Sequence, residues 1–144
     1  MMSAALRVML LASALTGCGQ SGADATTAAA SSPTANAGDF AGELNALGTE
    51  PFWAIKIRAD GLTFSRPGVE DVKSANPGPV IENDRATWAV ADGPTPFKLT
   101  LTKGDCSDGM SDRHYAMNAV LVFGDKTMYG CAATPASIAA QPAP

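Results

Sequence analysis

Apolar and polar residues alternate with a period of two through the middle of this chain, from about residue 43 to residue 133. Trp53, Ile55 and Ile57 alternate with Ala54, Lys56 and Arg58. A period of two puts successive side chains on opposite faces of an extended backbone, which is the mark of a half-buried strand. Asp60-Gly61 reads as a hairpin turn, after which Leu62 and Phe64 alternate with Thr63 and Ser65. Trp88 and Val90 repeat the pattern behind the polar turn Glu82-Asn83-Asp84-Arg85, and Phe97, Leu99 and Leu101 give its cleanest example. Ala119 to Phe123 is an apolar run, turned by Gly124-Asp125-Lys126 and returned by Thr127 to Cys131. The pattern predicts six to eight short antiparallel strands, and the only stretch that admits a helix runs from Asp39 to Leu47. The fold class is all-β, a small antiparallel barrel or sandwich. The barrel is preferred because closure removes exposed edges.

The flanks lack this pattern. From Gly19 to about Gly42 the chain is mostly Ala, Ser, Thr and Gly, with too little to bury, so residues 18–42 are expected to form a disordered tether. Residues 134–144, with Pro135, Pro142 and Pro144 among alanines, are expected to be equally unstructured. Residues 1–17 carry one positive charge, Arg7, then a short apolar core and small residues, the layout of a secretory signal. Leu15-Thr16-Gly17-Cys18 resembles a bacterial lipobox. That resemblance implies a diacylglyceryl thioether on Cys18, cleavage before it and acylation of the new N-terminus. Gly19 stands where an inner-membrane retention Asp would stand, so the implied destination is the outer membrane, facing the periplasm. Several acyl chains, at about 0.8 kcal/mol per buried CH₂, give stable anchoring.

Charge narrows the function classes. Ten Lys plus Arg oppose fourteen Asp plus Glu, a net charge of −4, and the pI is about 4.7. Loss of Arg7 with the leader makes the chain more acidic still. Phosphate backbones require a basic face, so nucleic acid is excluded as a partner. No apolar run reaches the roughly 20 residues of a transmembrane helix.

Three cysteines are present, and setting Cys18 aside leaves Cys106 and Cys131. An exported body of about 90 residues has a thin core and is commonly stapled, so these two are expected to be joined. The closed loop is worth about 3 kcal/mol on chain-entropy grounds.

Two motifs stand out: Gly48-Thr49-Glu50-Pro51-Phe52-Trp53, and Cys106-Ser107-Asp108-Gly109-Met110-Ser111-Asp112-Arg113, followed by His114-Tyr115 and closed by Tyr129-Gly130-Cys131-Ala132. Together they resemble a family of bacterial envelope proteins with a GTEPFW start and a CSDGMSDR…GCA end. Members are often lipoproteins, and some carry lysozyme-inhibitor-type or META-type β domains. The resemblance spans about residues 44–133 and implies location and fold class without supplying a substrate. Ala116 stands where members commonly have Pro.

Each motif has a structural and a functional reading. In the first, Pro51 can begin an edge strand, Phe52-Trp53 can plug the barrel end and Glu50 can cap or pair locally. Alternatively, Trp53 and Glu50 stand at the mouth of a pocket as aromatic wall and polar anchor. In the second, Asp108 and Asp112 can accept backbone N–H bonds in a turn while Arg113 pairs with one of them. Alternatively, Asp108, Asp112, Arg113 and Tyr115 form a polar binding site. A Ca²⁺ site built on Asp105, Asp108 and Asp112 is a weaker option, because the spacing is not that of an EF-hand and Arg113 opposes a cation. His114, the only histidine, reads as a loop residue, and Ser107 and Ser111 lack a Gly-x-Ser-x-Gly elbow. Glu50 with Asp108 is the one acid–base pair open to consideration.

No catalytic residue, metal or cofactor is therefore expected. The leading function is a membrane-anchored periplasmic lipoprotein whose β domain binds a protein or small ligand without turnover. A lysozyme-inhibitor-like defence protein is the first alternative, and an enzyme acting on envelope material the second.

Overall fold

The computed structural model describes residues 37–143. The expected signal peptide, the expected lipidation site at Cys18 and most of the expected tether lie outside the described residues. A 3-10 turn, Ala37–Phe40, leads into nine strands and one short helix. The strands are β1 (Leu44–Thr49), β2 (Phe52–Arg58), β3 (Gly61–Arg66), β4 (Val69–Ser74), β5 (Val80–Glu82), β6 (Arg85–Val90), β7 (Phe97–Cys106), β8 (Tyr115–Phe123) and β9 (Lys126–Ala133). The helix, α1, is Pro135–Ala139.

All nine strands form one antiparallel sheet in the order β4-β3-β2-β1-β9-β8-β7-β6-β5. Two meanders, β1–β4 and β5–β9, are thus joined where β1 meets β9. Only Asn45↔Ala133, Ala46↔Ala132 and Leu47↔Cys131 make that join. The sheet curls so that Phe64 on β3 packs against Phe97 on β7 and Phe123 on β8, at ring-centroid distances of 5.6 and 5.4 Å. One buried cluster fills the concave side. It runs from Leu44 through Ile55, Ile57 and Leu62 to Trp88, Leu99, Leu101 and Leu121. Full burial of each such side chain contributes about 1.5–3 kcal/mol.

The alternation read from the sequence places the correct face inward in β2, β3, β6 and β7. Four expectations are corrected. The strand count is nine rather than six to eight, because Leu44–Thr49, Val69–Ser74 and Val80–Glu82 are also extended. Asp39 to Leu47 is not one helix: Asp39 and Phe40 end the 3-10 turn, and Leu44 to Leu47 belong to β1. Gly42 at φ 86° breaks the chain, and β1 then pairs with β2 and β9. The body begins before residue 43, since Phe40 is buried in the core and Lys103 Nζ meets Asp39 Oδ2 at 2.7 Å.

The fourth correction concerns closure: the sheet is a curled half-barrel whose end strands, β4 and β5, are not hydrogen-bonded to each other. The edges are protected by other means. β4 exposes Glu70, Asp71 and Lys73, while β5 has three residues and follows Pro77 and Pro79. Charge, brevity and proline all discourage strand addition.

The C-terminal segment also departs from expectation. Thr134 caps α1, its side chain accepting from the Ser137 amide at 3.1 Å, with Pro135 in the first turn. Ile138 packs on a second small cluster of Tyr115, Cys131 and Ala133 outside the main core. Gln141 then bonds the His114 backbone twice, accepting its N–H at 2.7 Å and donating to its carbonyl at 2.9 Å. Composition suggested a loose tail, but one cap, one apolar contact and one two-point amide clamp are enough to dock it.

Candidate functional site

The two motifs meet at the β1–β2 hairpin. Thr49 and Phe52 face each other across a two-residue turn of Glu50 and Pro51, joined by a cis peptide bond. Pro51 therefore lies in a turn between two central strands, not at the start of an edge strand. Trp53 pairs with Gly48 and is buried, its indole lying over that glycine. A Cβ on Gly48 would fall on the Trp53 ring nitrogen, so the close contact requires glycine. Phe52 has the opposite parity and is 54% exposed, so it plugs nothing. Glu50 is exposed in the turn, and its carboxylate makes no hydrogen bond or ion pair among the described residues.

The second motif is an ordered loop built on Asp108. Its Oδ1 accepts the Met110 and Ser111 amides at 3.0 and 2.8 Å. Its Oδ2 accepts the Ser111 hydroxyl at 2.8 Å and the Tyr115 hydroxyl at 3.0 Å. Gly109 takes φ 71°, a conformation that side chains resist, which lets the loop double back on the carboxylate. Burial pushes the Asp108 carboxyl up. The two amides and two hydroxyls outweigh it and bring the pKa down to about 2. Tyr115 is pushed up by burial, then by its bond to Asp108 and that group's charge. The disulfide Cys106–Cys131 closes the base of the loop on β9, with a Cα–Cα distance of 5.6 Å.

Thr49 Oγ1 donates to the Asp108 carbonyl at 3.2 Å, tying the motifs together. Beside this tie lies an open cleft of about 390 Å³. Gly48, Thr49, Phe52 and Trp53 line it from the first motif, Asp108, Arg113 and Tyr115 from the second, and Arg66 and Pro67 from β3 and its turn. Of the residues expected at a binding site, Trp53, Asp108, Arg113 and Tyr115 are brought together. Glu50 and Asp112 do not line this cleft, so no Glu50–Asp108 acid–base pair is formed.

Arg113 pairs with neither aspartate of its loop. Its Nε donates instead to the Pro142 carbonyl at 2.9 Å, because the docked C-terminal segment lies against it. Asp112 is exposed and accepts none of the turn's amides among the described residues. Among the described residues no group of three His, Cys, Asp or Glu side chains converges as a metal site, so Asp105, Asp108 and Asp112 do not form the considered Ca²⁺ cage.

Sequence reasoning missed Phe52 and Arg66. Both were accessible from parity: Phe52 is the outward neighbour of Trp53, and Arg66 follows the Leu62/Phe64 alternation just before Pro67-Gly68. What it could not supply was the curl that brings the end of β3 beside the loop before β8. Comparison of the chain with family models, curated proteins and solved structures finds no match.

Proposed function

We propose that this protein is a lipid-anchored envelope protein of the outer membrane, facing the periplasm, and that its β domain binds a ligand or protein partner without turning it over. The observation that carries the reading is the convergence of two motifs, about 60 residues apart, on one cleft through the Thr49–Asp108 bond. A cleft of this size lies within the range of small-ligand sites, roughly 300–1,000 Å³.

The chemistry of the lining favours binding over turnover. Both Asp108 oxygens are engaged by two donors each, and the carboxylate is held ionised with a pKa of about 2, a poor starting point for an acid or base near neutrality. Tyr115 keeps its proton in the bond to Asp108. Cys106 and Cys131 are spent in the disulfide, which removes both described thiols as nucleophiles. The lipobox resemblance of Leu15-Thr16-Gly17-Cys18 supports the anchor. The resemblance to the GTEPFW envelope family supports the compartment.

The test uses the full chain extracted from membranes. Native mass spectrometry is expected to show a bound molecule, or crosslinking in intact envelopes a discrete partner. Palmitate labelling is expected to disappear in Cys18→Ser. An empty mass together with no crosslinked partner would defeat the binding reading, and labelling that survives Cys18→Ser would defeat the anchor.

A further inference from the structure

The cleft holds two arginines from separate elements, Arg66 at the end of β3 and Arg113 in the loop before β8. Neither is in an ion pair among the described residues, where the pairs formed are Arg58–Glu43 and Lys103–Asp39. Arg66 lies over the Phe123 and Phe64 rings, with its guanidinium carbon 4.6 and 5.2 Å from their centroids. The guanidinium carries five N–H donors, and none of those of Arg66 meets a hydrogen-bond acceptor among the described residues. Arg113 commits its Nε to Pro142, and its terminal amino groups make no bond among the described residues.

Two arginines without carboxylate partners on one cleft are conspicuous in a chain with net charge −4. The acid that lines the cleft, Asp108, has both oxygens occupied, so it offsets part of the charge without pairing with either guanidinium. The remaining field suits a single negative charge. Apart from the hydroxyls of Thr49, Ser65 and Tyr115, the remaining lining is apolar: Phe52 is 54% exposed, and Leu47, Ala54 and Pro67 also line the cleft. Beyond Phe52, Arg66 and Pro67 the cleft continues into a second hollow of about 440 Å³ floored by Phe123 and Met128, where Asp125 and Lys126 offset each other.

We infer that this cleft binds a small monocarboxylate with an apolar body, such as an aromatic or short-chain aliphatic acid. Its carboxylate is held by the Arg66 and Arg113 guanidinium groups, and its body lies against Phe52 and Pro67. A planar carboxylate matches the guanidinium fork. The inference rests on the binding reading above and narrows it to a ligand class.

The experiment photolabels the full lipid-anchored chain in nanodiscs with 4-benzoylbenzoate, using neutral 4-methylbenzophenone as the control. Labelled peptides are mapped by mass spectrometry. The carboxylate probe is expected to mark residues 47–67 or 107–115, and excess 4-phenylbutyrate to suppress it. Arg66→Gln is expected to lower labelling about tenfold, the scale of losing one charge-assisted bond, while Arg66→Lys recovers part of it. If Arg66→Gln fails to fold, the wild-type protein still decides. Raising salt is expected to reduce labelling by the carboxylate and leave the neutral probe unchanged. Equal labelling by both probes, adducts confined to other surfaces, or a folded Arg66→Gln that labels like wild type would each overturn the inference. A bound molecule seen by native mass with the cleft unlabelled overturns the carboxylate site and leaves the binding reading intact. Failure of both experiments removes both.

Discussion

The Tyr115 hydroxyl donates to Asp108 Oδ2 at 3.0 Å, joining the first residue of β8 to a carboxylate seven positions earlier. Because Asp108 also organises Met110 and Ser111, its loss is felt as stability before it is felt as binding. Asp108→Ala is expected to cost at least about 2 kcal/mol, from several hydrogen bonds lost together, and Tyr115→Phe about 1 kcal/mol. Urea unfolding measures both. An Asp108→Ala protein as stable as wild type would show that the loop does not depend on this carboxylate.

The same carboxylate gives acid sensitivity a defined sign. Its folded pKa of about 2 lies below the ordinary 3.8, so its contribution is complete above roughly pH 5 and is lost as pH falls toward 2. Stability should decline across that window, and Asp108→Asn should flatten the part of the decline that this group causes. Urea midpoints measured between pH 6 and pH 2 check it. Identical slopes in the two proteins would assign acid sensitivity to other groups.

Gly130 approaches β1 more closely than any side chain permits. A Cβ there would strike the Leu47 carbonyl and come within 2.9 Å of Gly48 Cα, and backbone atoms at the β1–β9 join cannot swing aside. Gly130→Ala is expected to destabilise by about 1–3 kcal/mol or more, as overpacking does. Gly38→Ala, which meets nothing within 4 Å, should stay within about 0.5 kcal/mol of wild type. Thermal melts of the pair separate a steric cost at the join from a general intolerance of alanine.

The docked C-terminal segment is testable through one side chain. Gln141→Ala removes both bonds to the His114 backbone and should speed amide exchange at His114. The β7–β9 amides should keep their protection. Unchanged exchange at His114 would show that the clamp contributes nothing to order in the loop.

What the sequence disclosed follows from how each feature is encoded. Strands with one buried and one exposed face announce themselves, as Phe97, Leu99 and Leu101 do against Lys98 and Thr100. β4 and β5 have weak inward faces, mainly Val72 and Ile81, and so leave little period to detect. β1 was obscured because its third inward position is Gly48, a residue that reads as a turn until the Trp53 ring is seen covering it. At the site, Asp108, Arg113 and Tyr115 were visible as a dense polar run. The partners of Arg113 were not, because Pro142 lies 29 residues away in a segment whose composition carries no structural signal. The disulfide was legible by elimination, since cysteine chemistry leaves few pairings once one of three is assigned elsewhere.

The arrangement of strands sets a timetable for the growing polypeptide. Neighbours in each meander are also neighbours in sequence, so hairpins within β1–β4 can form as soon as they are made. The only ladder between the meanders pairs Asn45–Leu47 with Cys131–Ala133, the first strand with the last. Until residue 133 is available, β1 has an unsatisfied side and the two meanders are not joined by a complete ladder. The β1–β9 ladder therefore closes last, and the half-barrel is complete only once the chain has been made through residue 133.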